Sequence, residues 1–512
     1  MGSSSVRPTS FNQWVLLAAV FVVGLCTVVY ELLIGSVSSY LLGDSVRVFS
    51  LTVGLTMSAM GFGTYLSRLV RRGLLSWFVG IEIALGLLGG LSVPALAALF
   101  ALSETYYPGM ITAICLLGTL IGVEIPLLTR LMSQHYELRT NISNVLSLDY
   151  LGALVATLLF PFVLLPFLGI FAASLVTGLL NLCVAGLLLY ALKNALQPRA
   201  RRRLLGGLWL CTGVLVTAQA LAQPLLHSWE SRLFEDRVVL SRQTRYQKIV
   251  ITKNRRDVRM FLQGHLQFSS LDEHRYHEAL VHVAMAAASR PERVLILGGG
   301  DGMAVRELLK YPEQPSITLV DLDPEVTALA RTMPLLRQLN RGSLDDRRVE
   351  IRHADAFDYL RRQDALFDVI IADLPDPNSS ALARLYSRGF FQLVRTHLSR
   401  SGVFVTQATS PFFARHAFWC IERTVRAAGY SAVVPYHAYV PSMGDWGFVL
   451  ASGHRIDTAS LGLRVPTRFL DAASLASLFA FPKDLQSPEV AISTLDRPAV
   501  LRYYLHDWQA WD

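Results

Sequence analysis

The feature that most constrains this chain is a glycine-rich turn between a strand and a helix in its second half. Four apolar residues, Val294–Leu297, lead into a Gly-Gly-Gly-Asp-Gly run at 298–302, and a helical pattern follows as far as Tyr311. In open α/β sheets such a turn places the start of a helix against a bound ligand. A turn of this kind can also be purely structural, so its function depends on the residues that follow it.

Acidic residues follow the next predicted strands in the same region. Buried strands are predicted at 317–320, 349–354 and 367–372. They lead into Asp321, Asp355 and Asp373, and the carboxyl ends of parallel strands meet at one edge of a sheet. Asp321, 23 positions after Gly298, is suited to the ribose hydroxyls of a ligand, and Asp355 to an adenine amino group. No phosphate-binding lysine spacing is present, so the pattern predicts a nucleoside site and resembles the Rossmann-like fold of S-adenosylmethionine enzymes.

The first 225 residues have a different character. Only 17% of the 512 residues are charged, and the apolar residues concentrate in this part of the chain. Windows of about 20 mostly apolar residues are long enough to cross a hydrocarbon core of roughly 30 Å. They lie near 13–34, 47–68, 76–101, 108–129, 147–167, 169–191 and 204–223. We therefore interpret residues 1–225 as an N-terminal α-helical membrane bundle of about seven spans.

Four acids lie within or at the ends of these spans. They are Glu31, Glu82, Glu124 and Asp149. An ionisable group in lipid is costly unless it is paired or wetted, so such residues are functional candidates, for example in a cavity that admits a polycation. The alternative is that they are protonated or hydrogen-bonded between helices.

Cysteine usage and net charge exclude several classes of site. The five cysteines form neither a disulfide framework nor a zinc-ligand spacing, so no metal site is predicted. The formal net charge of +8 comes largely from basic loops between the predicted spans. We therefore expect no nucleic-acid partner.

A small β-domain is predicted at 235–275, before the glycine-rich turn. Its strands are expected at 246–252, 258–262 and 266–268, separated by polar turns. A helix with acidic, histidine and tyrosine residues follows at 272–280, and its polar residues either face water or contribute to a site. The Rossmann-like domain then occupies 276–512.

Taken in order, these motifs resemble the spermidine synthases and related polyamine aminopropyltransferases. The resemblance covers about 235–512, and the whole layout looks like the multi-pass membrane members of the family from bacteria. The matching motifs are Tyr246-Gln247, Asp272-Glu273-x-x-Tyr276-His277-Glu278, the run at 298–302, Asp321-x-Asp323-Pro324, Asp355-Ala356, Asp373-x-x-Asp376-Pro377, Leu385-Tyr386-Ser387 and Trp446-Gly447-Phe448.

The resemblance implies a reaction and a role for each matching residue. An aminopropyl group would move from decarboxylated S-adenosylmethionine, a co-substrate rather than a bound cofactor, to an amine, by default putrescine. The products would be spermidine and 5′-methylthioadenosine. Asp373 would be catalytic and would accept the amine's proton. The implied substrate-binding residues are Asp376, Tyr276, His277 and Asp301, and those for the adenosyl donor are Gln247, Gly298, Gly300, Asp321, Asp355 and Ala356.

Two other functions are compatible with the same residues. An S-adenosylmethionine-dependent amine N-methyltransferase could use the same fold, although Asp301 would repel the carboxylate of ordinary S-adenosylmethionine. Asp301 could instead cap the following helix, a role that needs no ligand. A sensor or transporter could bind a polyamine or adenosyl ligand without turnover, although it would need no proton acceptor.

The chain departs from the family pattern around the acceptor. After Asp376-Pro377 it reads Asn-Ser-Ser-Ala-Leu-Ala-Arg at 378–384, and the usual proline–tyrosine gate near Pro441 is altered. These changes leave the acceptor open, and Arg384 could favour one with an anionic group. The C-terminal tail, which includes residues 481–484 and 492–498, is expected to pack on the sheet, without chemistry.

The side of the membrane is predicted by two conflicting signals. Lys and Arg gather in the loops after the second, fourth and sixth predicted spans, which places the N-terminus in the cytoplasm. Seven crossings would then put the catalytic domain outside, whereas the implied substrates are made inside cells. We expect an inner-membrane protein whose catalytic domain is cytoplasmic. Its oligomeric state is left open by the sequence, although relatives with this β-domain often associate through it, which favours a homodimer.

Overall fold

The computed structural model describes residues 10–42, 45–102, 105–133, 138–233 and 236–511. The chain divides into two compact units, residues 1–235 and residues 236–512. We call the first the helical unit and the second the α/β unit.

Helices account for nearly all of the described residues of the helical unit. In the described residues its helices are α1 (Ser10–Leu42), α2 (Ser45–Leu66), α3 (Leu74–Leu102), α4 (Tyr106–Met132), α5 (Leu138–Leu159), α6 (Leu165–Ala191) and α7 (Pro198–Leu233). A π-helical turn at Phe160–Leu164 joins α5 to α6, and Gly169 breaks the helical conformation with φ +72°. The apolar windows of the sequence are therefore helical, and the window at 147–167 runs from α5 through the π-helical turn into α6.

Not every one of these helices meets the criteria for a membrane span. Among the described residues, five helical stretches are long and apolar enough to cross a membrane by length and composition: Trp14–Ser39, Leu74–Phe100, Tyr106–Met132, Arg139–Ala191 and Pro198–Leu221. The fourth stretch joins two of the seven predicted windows, and α2 is not among the five. The helical part of the interpretation is confirmed, while the bilayer and the number of spans stay predictions.

Glycines allow α2 and α4 to approach each other closely. A Cβ atom on Gly63 would lie 2.0 Å from the carbonyl oxygen of Thr119, and one on Gly122 would lie 2.0 Å from that of Met60. The Thr64 hydroxyl also donates to the Gly122 carbonyl oxygen at 3.0 Å. Small residues and interhelical hydrogen bonds of this kind are typical of helix packing in lipid.

The α/β unit begins with an antiparallel sheet. Over 236–275 the strands are β1 (Arg237–Gln243), β2 (Lys248–Asn254), β3 (Asp257–Leu262) and β4 (His265–Ser269), paired in sequence order. Three of them match the predicted strands. Strand β1 was not predicted, because its mixed polar residues leave it half exposed and give no clean alternation.

A larger mixed sheet follows, and its strand order is β10-β11-β9-β8-β5-β6-β7 in the described chain. The strands are β5 (Arg293–Gly298), β6 (Ser316–Asp321), β7 (Val349–His353), β8 (Phe367–Asp373), β9 (Leu398–Gln407), β10 (Ala432–Val440) and β11 (Gly444–Ser452). Strands β5 to β9 are parallel, and β10 and β11 pair antiparallel at one edge. This is a Rossmann-like sheet whose four predicted strands are all present.

Helices pack against this sheet. In the described residues they are α8 (Glu273–Ala287), α9 (Met303–Leu308), α10 (Pro324–Thr332), α11 (Pro334–Asn340), α12 (Ala356–Arg361), α13 (Ser380–Ala383), α14 (Arg388–Thr396), α15 (Arg415–Ala427), α16 (Ala472–Ser477) and α17 (Ala499–Trp508). The polar residues of α8 do not form a solvated face, because Glu273, His277 and Glu278 are all buried.

The order of the strands determines where a ligand can bind. From β5 the chain builds β6 and β7 on one side, and it then returns to build β8 and β9 on the other. The carboxyl ends of β5 and β8 therefore flank a topological switch point, where open α/β sheets bind their ligands.

Candidate active site

The glycine turn and Asp373 meet at this switch point. Gly298 is the register partner of Asp373 across β5 and β8. Its φ is +86°, and a Cβ atom there would lie 1.9 Å from the Asp373 carbonyl oxygen. Both the backbone conformation and the close approach require glycine at this position.

Asp321 lies against the other end of the turn. Its Oδ2 accepts a hydrogen bond from the Gly300 N–H at 3.0 Å, and its Oδ1 accepts one from the Asp323 N–H at 2.9 Å. Burial raises the pKa of Asp321 to about 6, although these two backbone bonds act in the opposite direction. A Cβ atom on Gly300 would lie 2.5 Å from Asp321 Oδ2, so glycine is needed here for space.

Asp301 lies two residues before α9 and also contributes charge to the site. Its Oδ1 accepts a hydrogen bond from the Met303 N–H at 2.8 Å. Its charge acts on His277 and Asp373, favouring the protonated form of each. Helix stabilisation and a role at the site are therefore compatible in this residue.

Asp373 lies at the end of β8 beside two residues of α8. The Tyr276 hydroxyl donates to Asp373 Oδ1 at 2.7 Å. Burial raises the pKa of Asp373 to about 6, the charge of Asp301 adds to this increase, and His277 and the Tyr276 hydrogen bond oppose it. A carboxylate with such a pKa is mostly ionised at neutral pH and can accept a proton.

A buried ion network keeps His277 charged. Its Nδ1 lies 2.9 Å from Glu273 Oε2, and both Glu273 oxygens accept from the Arg306 guanidinium at 3.0 and 2.9 Å. Burial alone would lower the pKa of His277, but Glu273 raises it to about 9. For Glu273, burial is outweighed by His277 and Arg306, which lower its pKa to about 2. The network supplies a positive charge near Asp373.

Asp376 is held by donors from two distant segments. Its Oδ1 accepts from Gln407 Nε2 at 3.3 Å, and its Oδ2 accepts from the Thr409 hydroxyl at 3.4 Å and the Tyr504 hydroxyl at 3.1 Å. Burial raises the pKa of Asp376 to about 6, and the three donors act against it. Thr409 has φ +59°, a strained conformation for a β-branched residue. Strain of this kind is common at functional sites.

A cavity of about 630 Å³ opens beside Asp376. Its wall also holds a second carboxylate, Asp445, which contacts His437 Nδ1 at 2.7 Å. The aromatic side chains of the wall are Phe412, Phe413, Tyr439, Trp446, Tyr504 and Trp508. Carboxylates and aromatic faces together suit a ligand with an aliphatic chain and positive charges.

The predicted adenine end of the site is engaged by the protein itself. Asp355 Oδ1 accepts from the N–H groups of Phe357 and Asp358 and so caps α12, in which Ala356 is the first residue. Asp355 Oδ2 pairs with Arg384. Arg384 is thus the ion-pair partner of Asp355. This ion pair engages the positive charge that was expected to favour an acceptor with an anionic group.

Gln247 reaches the site through a neighbouring acid. Its Nε2 donates to Asp323 Oδ2 at 3.2 Å, and the Thr244 hydroxyl donates to the same oxygen at 2.7 Å. Asp323 also caps α10 through the Glu325 N–H. The hydrogen bonds from Gln247 and Thr244 to Asp323 join the turn between β1 and β2 to the carboxyl end of β6.

Several residues of this site were not predicted, and four of them contact Asp376 or line its cavity. Gln407, Thr409, Tyr504 and Trp508 have no recognisable motif, and the tail that contains the last two was expected to have no chemistry. The contact between Tyr504 and Asp376 is visible only in the tertiary structure, because the two residues are 128 positions apart in the sequence.

Known proteins of similar sequence match nearly the whole chain. Residues 273–460 match the family described as the spermine/spermidine synthase domain. The chain is 40% identical over 498 residues to the polyamine aminopropyltransferase of Leptospira interrogans, which covers 97% of this chain and 99% of that protein. It is 41% identical over 513 residues to polyamine aminopropyltransferase 1 of Ralstonia nicotianae, which covers 99% and 97%. The solved spermidine synthase from Thermotoga maritima is 31% identical, with a TM-score of 0.44, over 48% of this chain and 87% of that one.

Proposed function

Because this chain belongs to the polyamine aminopropyltransferase family, we propose that it transfers an aminopropyl group from decarboxylated S-adenosylmethionine to putrescine. The products are spermidine and 5′-methylthioadenosine. No separate cofactor takes part.

The reaction is an in-line displacement at carbon. The acceptor's amine nitrogen attacks the methylene carbon next to the sulfonium, the new C–N bond forms, and the C–S bond breaks with its electron pair going to sulfur. Since a neutral thioether leaves readily, the enzyme's main tasks are to align the two substrates and to remove a proton from the acceptor.

Asp373 takes that proton. Amines with a pKa near 10.4 are almost wholly protonated at neutral pH and cannot attack. A carboxylate with a pKa of about 6, fixed by the Tyr276 hydroxyl, is a stronger base than an exposed aspartate and is still ionised at pH 7. The positive charge on His277 lowers the pKa of Asp373, and so it keeps this carboxylate ionised until the acceptor's proton is transferred.

The remaining acids divide between the two substrates. Asp376, in the wall of the cavity, holds an ammonium group of putrescine, with Tyr276 and His277 beside the reacting amine. Asp301 pairs with the aminopropyl ammonium of the donor and disfavours ordinary S-adenosylmethionine, whose carboxylate it would repel.

The adenosyl part of the donor lies along the strand ends. Asp321 accepts hydrogen bonds from the ribose hydroxyls, and the backbone at Gly298 and Gly300 leaves room for the close approach. Asp355 and Ala356 contact the adenine, and Gln247 contacts the donor from the side of the β1–β2 turn.

The observation that carries this proposal is the hydrogen bond from Tyr276 to Asp373 at the switch point, beside a cavity that holds Asp376. To test it, purified protein in detergent would be given either decarboxylated or ordinary S-adenosylmethionine, each with a panel of di- and polyamines. Mass spectrometry should detect spermidine and methylthioadenosine only with the decarboxylated donor and putrescine. A methylated amine, or no product from any pair, would contradict the proposal.

We also propose that the helical unit anchors the enzyme in the inner membrane, with the α/β unit in the cytoplasm. The five candidate spans support this, as do side chains such as Phe167 and Trp209, which are 80% and 73% exposed on apolar helices. Reporter fusions after residue 233 test the orientation. Light scattering of the solubilised protein tests for a homodimer.

A further inference from the structure

We propose that the C-terminal helix α17 forms part of the amine-acceptor site and that Tyr504 positions the Asp376 carboxylate for the acceptor's ammonium group. This inference rests on the proposed function, because it assigns the cavity beside Asp376 to the acceptor. It gives a role to a segment in which the sequence shows no motif.

Tyr504 makes the shortest of the three side-chain hydrogen bonds to Asp376. Its hydroxyl lies 3.1 Å from Oδ2, compared with 3.4 Å for the Thr409 hydroxyl and 3.3 Å between Gln407 and Oδ1. The Tyr504 side chain is 5% exposed, and it lines the cavity together with Asp376. The hydroxyls of Thr409 and Tyr504 both donate to Oδ2, so Tyr504 helps to fix the orientation of the carboxylate plane toward a ligand.

Aromatic packing fixes α17 in this position. Trp508 stacks on Phe413 with ring centroids 5.5 Å apart and an angle of 16°, and Tyr504 packs on Trp508 at 6.0 Å. Trp511 extends the cluster with contacts to Phe412 and Phe413. Tyr504 and Trp508, one turn apart on the helix, thus present a hydroxyl and an indole to the same cavity.

The arrangement matches the chemistry of a diammonium ligand. Asp376 supplies a negative charge for one ammonium group, and the surrounding aromatic faces attract cations while covering the aliphatic chain. The hydroxyl of Tyr504 keeps one lone pair of the carboxylate occupied and so restricts the direction from which the ammonium binds. Tyr504 is therefore a positioning residue for the acceptor, with no contact expected to the donor.

The helix also offers a matched control. The neighbouring Tyr503 does not line the cavity; its hydroxyl accepts a hydrogen bond from the Ala491 N–H at 3.1 Å, and its ring stacks on His416. Y503F and Y504F each remove one hydroxyl from adjacent residues of α17. Only the second change alters the surroundings of Asp376.

The test is steady-state kinetics of the full-length, solubilised wild type, Y504F and Y503F, with putrescine and decarboxylated S-adenosylmethionine varied in turn. In Y504F we expect the KM for putrescine to rise about tenfold, as for the loss of a hydrogen bond to a charged group. The KM for the donor should stay within about twofold, and Y503F should match the wild type.

Other outcomes separate this inference from the proposed function. If the wild type makes spermidine but Y504F behaves like Y503F, or if both KM values rise equally, the role of Tyr504 is refuted and the reaction stands. If the wild type makes no product, the proposed function fails. Titration calorimetry with putrescine then decides the inference, which requires binding to Y504F about tenfold weaker than to the wild type.

Discussion

Asp373 and Asp376 in the α/β unit and Glu82 and Glu124 in the helical unit are two pairs of acids in opposite surroundings. The first pair receives side-chain hydrogen bonds from four donors in all. In the second pair, both oxygens of Glu82 and Oε1 of Glu124 have no hydrogen-bond partner among the described residues. Glu82 and Glu124 are 0% and 1% exposed.

The difference shows how each unit tolerates a carboxyl group inside protein. Neutral donors around Asp373 and Asp376 stabilise the ionised form, which is the form that binds ammonium groups and accepts protons. The two glutamates face each other, and they can form a hydrogen bond only when one of them carries a proton. The surroundings therefore fit two ionised acids in the α/β unit and a neutral or shared-proton pair in the helical unit.

The largest expected effect comes from D373N. Asparagine keeps the shape of the side chain but cannot accept the proton, so kcat should fall by about a thousandfold, within the range known for general bases. The measurement is initial rates of methylthioadenosine release at saturating substrates. D364N, in the exposed loop before β8, is the matched control and should retain full activity. A D373N enzyme within tenfold of wild type would show that another group takes the proton.

A smaller and more selective effect is expected from D376N. The change removes a charge that faces the cavity, so the KM for putrescine should rise by about 10- to 100-fold, as for the loss of an interaction with a charged partner. The KM for decarboxylated S-adenosylmethionine should change little. Equal changes in both KM values would indicate that Asp376 supports the whole site rather than the acceptor.

The pH dependence should follow the two aspartates. Burial raises both pKa values to about 6. As the pH is lowered, kcat/KM for putrescine should therefore decline more steeply below about pH 6 than above it. Because a raised pKa means that the folded state binds protons more tightly than the unfolded state, this protonation stabilises the fold. Glu273 has a pKa lowered to about 2, so its ionised form stops contributing to the stability of the fold only in much stronger acid.

A thermal melt measured in parallel is the control for this prediction. Between pH 8 and pH 5 the melting temperature of the α/β unit should not fall with the activity. If both fall together, unfolding rather than titration of the site explains the loss of activity.

The smallest effect is expected from E82Q. Glutamine provides the N–H donor that a shared proton would supply to Glu124, so the melting temperature should be unchanged or higher by a few degrees. The kcat for aminopropyl transfer should stay at the wild-type value. A fall of more than about 5 °C would mean that ionised Glu82 has a stabilising partner and that the contrast between the two pairs is wrong.

Much of the fold could be predicted because it depends on local patterns. Apolar windows of about 20 residues predicted the helices, and apolar runs ending in acids predicted β5 to β8. Strand β1 was missed because it is half exposed, and its identity depends on pairing with β2. The break at Gly169 coincides with the predicted boundary between the apolar windows at 147–167 and 169–191.

The residues of the site also separate into those that the sequence predicted and those that it did not. Asp321, Asp373 and the glycines lie at strand ends, where topology alone brings them together. The partners that tune these acids could not be predicted, because they depend on how distant segments pack. Arg384 reaches Asp355 from the altered loop, and Tyr504 reaches Asp376 from the last helix.

The sequence by itself determined the chemistry that is available to this protein, namely the acids at the strand ends, the glycine turn and the apolar helices. These follow from residue type and spacing, which act over a few neighbours. Only the tertiary structure decided which acids are held by donors and which are left without them. Hydrogen bonds and burial join residues more than a hundred positions apart, and no local pattern records such a contact.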